Sequence, residues 1–129
     1  MSIYRLTALF AGLLAGLTLH AGRLHPESHY QALAAKEYGG ETEVVMPDGT
    51  RCDIVTERHA IEVDFADKWA ESLGQSLNYA FQTNKRAGIV LILEKRSDEK
   101  HLLRVNSIIE NFGLPIDVLA IRVWEPAEK

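Results

Sequence analysis

Apolar and polar positions change period several times along this chain, and each change marks an element. Leu6 to Leu19 is apolar or small, without a charge and without a polar face. Beyond it, His25-Pro26-Glu27 opens a helix on which Tyr30, Leu33, Ala34 and Tyr38 recur at helical spacing, and Gly39-Gly40 closes it. Glu41 to Met46 alternates weakly, as a strand does, and Pro47-Asp48-Gly49 makes the next turn. Between Arg51 and Phe65, two runs rich in β-branched and apolar residues lie around Glu57-Arg58 and predict a tight antiparallel hairpin.

The period then returns to helical. Asp67 is placed to cap a helix running to about Gln82, with Trp69, Leu73, Ser76, Leu77 and Ala80 as its core stripe. Lys68, Ser72, Gln75 and Tyr79 form a separate stripe, spaced four, three and four residues apart. Gly88 to Leu93 is continuously apolar, as a strand covered on both faces would be. Ser97 or Asp98 caps a third helix carrying Leu102, Val105, Ile109 and Phe112, closed by Gly113, and Asp117 to Trp124 is the last strand. The order α-β-β-β-α-β-α-β predicts an α/β (α+β) fold, a mixed sheet flanked by helices.

The hairpin carries the chemistry. With a two-residue turn, Thr56 faces His59, Val55 faces Ala60, Ile54 faces Ile61 and Asp53 faces Glu62. Opposed residues share a face, and alternation puts Asp64 there as well, with Ile61, Val63 and Phe65 on the other side. Three crowded carboxylates repel one another unless a cation sits among them, and hard oxygen donors favour Mg²⁺, Mn²⁺ or Ca²⁺. The plainer alternative is the wet side of a half-buried hairpin. Against it, like charges directly opposite are unfavourable, and Asp is a poor strand former.

Length and composition narrow the classes. A chain of 129 residues has room for one domain, and 47% hydrophobic with 25% charged residues is ordinary for a globular protein. Net charge is −4, so a polyanion partner needs a local basic patch. The candidates are Lys85-Arg86 and Lys95-Arg96 with Lys100 and Arg104, which otherwise read as solvated helix ends and loops. Cys52 is the sole cysteine, which excludes an intrachain disulfide; it reads as a small core residue facing away from Asp53. Met1 to Arg5, the apolar run and His20-Ala21-Gly22 have the three-part layout of a secretory signal peptide, residues 1–21. An uncleaved N-terminal anchor is the alternative. The expectation is a single exported domain, 22–129, periplasmic or secreted if the source is bacterial, with no membrane attachment in its mature form.

This order, with an acid on the second strand and an acid-x-acid on the third, resembles the PD-(D/E)xK nuclease superfamily of restriction enzymes, junction resolvases and recombination exonucleases. The likeness covers about Pro26 to Glu94 and implies a restriction-endonuclease-like αβββαβ core. It implies Asp53 and Glu62 as metal-binding acids, Mg²⁺ or Mn²⁺ as cofactor and DNA as substrate. Gln75 and Tyr79 are similar to the Q-x-x-x-Y element of the recombination-exonuclease branch, and Glu27 to an extra N-terminal glutamate of resolvase-like members. The chain departs from the pattern at Asp64, where the family's lysine normally sits; Lys68 stands where a displaced lysine could reach back. The literal Pro47-Asp48 pair falls in a turn and is set aside.

These residues suit phosphodiester hydrolysis. Asp53, Glu62 and Asp64 would ligate the ion, Lys68 would orient water or stabilise the transition state, and Gln75 would position Lys68 or a nucleotide, with Tyr79 and Glu27 in support. A catalytically silent nuclease-fold module that binds nucleic acid or a protein is the alternative, as is a structural protein with incidental acids. Lys68, Gln75 and Tyr79 also fit an ordinary amphipathic helix edge. Homodimerisation stays open. The histidines lack a zinc-ligand spacing with a third partner, although His25 and His29 are four apart, and the chain carries no P-loop, G-x-S-x-G or dinucleotide fingerprint.

Overall fold

A computed structural model describes residues 22–124. The expected leader, 1–21, lies outside that span, as do residues 125–129. Among the described residues, three helices and five strands follow in the order read from the sequence: α1 (Glu27–Tyr38), β1 (Glu41–Val45), β2 (Arg51–Val55), β3 (His59–Phe65), α2 (Trp69–Thr83), β4 (Arg86–Leu93), α3 (Glu99–Phe112) and β5 (Ile116–Arg122). The sheet keeps sequence order, β1-β2-β3-β4-β5. β1, β2 and β3 form an antiparallel meander, and β4 and β5 then run parallel to β3. The fold is α+β with a mixed sheet. No helix among the described residues is long and apolar enough to cross a membrane.

β4 shows why its sequence has no polar face. Val90 and Ile92 pack on one side with Tyr30 and Ala34 of α1 and with Ile61, Val63 and Phe65 of β3. Ala87, Ile89, Leu91 and Leu93 pack on the other, against Trp69, Leu73, Leu77 and Ala80 of α2 and Leu102, Val105 and Ile109 of α3. A strand covered by helices on both faces must be apolar at every position. Its in-register pairs carry this assignment to β3: Glu62 sits beside Ile89 and Asp64 beside Leu91, so both acids aim at the α2 side.

Several local expectations change. α2 starts at Trp69 after a 3₁₀ turn, Ala66–Lys68, and Asp67 does not cap it; the Asp67 carboxylate pairs with Arg23 at 2.9 Å instead. Asp98 also begins a helix without capping it forward. Its carboxylate reaches back to the amides of Glu94 and Lys95, at 3.0 and 3.3 Å. Phe112 is exposed at the end of α3, and Leu33 and Tyr38 are exposed on α1 while Gln31 is buried. α1 is the short helix whose apolar residues are spread widest, so spacing alone did not reveal its inner face.

Candidate functional site

Asp53 sits where two ladders break. The β1–β2 register runs Glu41↔Val55, Thr42↔Ile54, Val44↔Cys52 and Val45↔Arg51, and the rung between Glu43 and Asp53 is missing. The β2–β3 ladder pairs Val55 with Ala60 and Ile54 with Ile61 and goes no further towards Asp53. Glu43 holds φ at +57°, a left-handed conformation that a non-glycine residue rarely adopts inside a strand. A regular strand puts residues two apart on one face. Here Ile54 packs with Tyr30 and Ile61, whereas Cys52 packs with Met46, Ala60 and Tyr79. The chain therefore rotates through Asp53, and Cys52 lands on the α2 side rather than in the α1 side of the core.

Side chains replace the missing rungs. The Asp53 carboxylate accepts the Val63 backbone N–H at 2.8 Å. The Gln31 amide, from α1, donates to the Asp53 carbonyl at 2.9 Å and to the Glu43 carboxylate at 2.8 Å. The turn at the other end of the hairpin is held by Thr56, whose hydroxyl accepts the amides of Arg58 and His59. Together these contacts fix Asp53 opposite β3 without a regular strand around it.

The sheet brings Glu27, Asp53, Glu62 and Asp64 together. Glu62 is only 5% exposed and Asp64 7%, so this is not the wet side of a hairpin. Glu62 lies beside Asp53 and Asp64, and Glu27 beside Asp64, each near enough to raise its neighbour's affinity for a proton. Ser72 of α2, fully buried, donates to Asp64 Oδ2 at 2.8 Å. Burial and the neighbouring Asp53 push Glu62 up to about 10, with Asp64 and Glu27 adding to it. Burial and Asp64 push Glu27 up to about 7. Burial also raises Asp53 and Asp64, against the hydrogen bonds each accepts. Tyr79, buried beneath the cluster, is raised to about 12 by burial and by the charges of Glu62 and Asp53.

The expected helper residues divide. Lys68 is exposed; its charge lowers Glu27 and Asp64, yet it makes no ion pair with them among the described contacts. Gln75 is exposed and does not join the cluster. Gln31, Glu43 and Ser72 are the site residues that motif reasoning passed over. Ser72 lay on the same polar stripe as Lys68 and Tyr79, which was the available signal. Asp48 of the Pro-Asp pair serves its turn, accepting the Thr50 amide at 2.9 Å.

Two observations bear on a bound cation. Among the described residues, no three His, Cys, Asp or Glu side chains already surround a common point. The acids instead close on one another. Yet Glu62 Oε1 is buried without any hydrogen-bond partner, and a buried carboxylate oxygen left unpaired is costly. An all-oxygen donor set with one orphaned acceptor fits a hard divalent ion. Compared with protein-family models, with curated proteins and with solved structures, the chain gave no match.

Proposed function

We propose that this chain is an exported, divalent-cation-dependent nuclease-like hydrolase of DNA phosphodiester bonds, built on a restriction-endonuclease-like core. The observation that carries the reading is the cluster of buried Glu62 and Asp64 with half-buried Asp53, in which Glu62 Oε1 has no hydrogen-bond partner. The order of elements, and the origin of the acids from two adjacent strands, support it.

Asp53, Glu62 and Asp64 would hold Mg²⁺ or Mn²⁺, which supplies neutralisation of phosphate charge and a more acidic bound water. The chain's own residues prepare that arrangement. Gln31 and the Val63 amide fix Asp53. Ser72 fixes Asp64 by one oxygen, and Glu27 sits beside it with a proton in balance near neutral pH. Tyr79 and Cys52, buried and packed together, lie close enough to Asp53 and Glu62 to feel their charge. Lys68, at the rim on a flexible stem, is the cation free to meet a phosphate oxygen.

A second reading, a silent nuclease-fold module that binds without cutting, draws on two observations: Gln75 is exposed and Lys68 makes no ion pair with the acids among the described contacts. Digestion of plasmid, single-stranded and branched DNA with Mn²⁺ separates the two. Loss of substrate with wild type and none with Asp53→Ala supports the enzyme. Intact DNA in every form, alongside Mn²⁺ binding heat, leaves the silent module; no heat in wild type removes the metal site itself.

A further inference from the structure

We infer that the cavity between the β3–α2 turn and the start of α3 is a cradle for the phosphodiester backbone of a nucleic acid strand, gripped by Lys95 and Lys100. This rests on the DNA reading and deepens it by naming the surface that holds the substrate. The cavity, about 340 Å³, is lined by Arg23, Asp67, Lys95, Ser97, Lys100 and His101, with Gly22 and Asp98 completing it. Its two acids are already engaged. Asp98 is buried, with its carboxylate on backbone amides, and Asp67 pairs with Arg23 at 2.9 Å. Lys95 and Lys100 are exposed and have no carboxylate partner among the described ion pairs. Polar groups that suit phosphate oxygens stand with them: the Ser97 hydroxyl and His101, whose Nδ1 is buried without a partner.

The cavity is linked to the acids through the β3–α2 turn. On its far wall Arg23 stacks its guanidinium 3.7 Å over the ring of Phe65, which lies on the α1 face of the sheet. Asp67 precedes Lys68, whose charge acts on Glu27 and Asp64. A strand held by Lys95 and Lys100 would approach the carboxylates by way of Lys68. The other basic pair of the chain offers no such grip: Lys85 Nζ donates to the carbonyls of Thr56 and Glu57, and Arg86 is held bidentate by Asp117. With a net charge of −4, any polyanion must bind locally, and this is where unpaired cations and the candidate site meet.

Fluorescence anisotropy of a labelled single-stranded oligonucleotide in Ca²⁺, across a salt series, tests the cradle. On a single strand, losing one phosphate contact lowers the slope of log affinity against log salt by about 0.7. Lys95→Ala/Lys100→Ala should lose roughly 1.4 from that slope and bind several-fold more weakly at low salt. The control Lys36→Ala/Arg58→Ala, which removes the same charge elsewhere, should match wild type, and Mn²⁺ heat should persist in both. Affinity and slope unchanged in the Lys95/Lys100 variant, or lost equally in the control, overturn the cradle while cleavage by wild type leaves the nuclease reading standing. A wild type that binds no single strand overturns the cradle, and the nuclease reading falls only if plasmid and branched DNA also stay intact.

Discussion

The Asp53 carboxylate accepts the Val63 amide at 2.8 Å, in place of a backbone rung that the β2–β3 ladder no longer supplies. One oxygen is thus spent on structure, which holds the other beside Glu62. Asp53→Asn keeps an acceptor for Val63 and removes the charge, so folding should persist, with a stability change within about 1 kcal/mol. Mn²⁺ affinity should fall at least tenfold. Calorimetry and urea melts of the pair measure both; unchanged affinity would exclude Asp53 as a ligand.

Stability should fall as pH rises when no divalent cation is present. Glu27 and Glu62 have folded values of about 7 and about 10, raised by burial and by their acidic neighbours from an ordinary 4.5. A raised carboxylate contributes fully below its unfolded value and loses that contribution as pH climbs towards its folded value. The window for Glu27 is roughly pH 4.5 to 7, and Glu62 extends it upward. Asp48 and Asp117, both held at about 2, lose stability only on the acid side and leave this window untouched. Unfolding free energies from urea melts at pH 5 and pH 8 should differ by at least about 1 kcal/mol in favour of pH 5. Glu62→Gln, a neutral isostere, should flatten the curve.

Cation binding should release protons. At pH 7 Glu62 holds a proton in the cation-free protein because its charge has nowhere to be solvated. A ligand to a divalent ion must be ionised, so about one proton leaves on binding, with a further fraction from Glu27. Apparent binding enthalpies in buffers of different ionisation heat give the number. A value of zero would mean that any ion binds elsewhere.

What could be read beforehand divides along the same lines. Period and turn residues gave the element order, and β4 declared its double burial by having no polar position. The Asp53–Glu62–Asp64 grouping followed from a two-residue turn at Glu57-Arg58, because register is fixed by the turn. The rotation at Asp53 was hidden, since no glycine or proline marks it and Glu43 carries the unusual dihedral. Gln31 was hidden for another reason: a polar residue on α1 reads as solvent-facing until the broken rung it satisfies is known. Gln75 was over-read, because Q-x-x-x-Y spacing places both residues near one stripe without saying how deep the stripe is buried. Tyr79 is inside and Gln75 is out.

Gln31 should prove to be the residue on which the rotated strand depends. Its amide spans the broken rung, taking the Asp53 carbonyl and the Glu43 carboxylate with one nitrogen. Leucine at this position fills similar space and donates nothing, leaving the part-buried Asp53 carbonyl without this donor. A loss of about 1–3 kcal/mol is expected from such an orphaned acceptor. A merely structural contact would stop there. If the clamp also places the Asp53 carboxylate, Gln31→Leu should weaken Mn²⁺ binding several-fold at temperatures where the protein is fully folded. Leu33→Ala, on the exposed side of the same helix, should leave binding unchanged. Stability lost with ion affinity intact would restrict Gln31 to holding the fold.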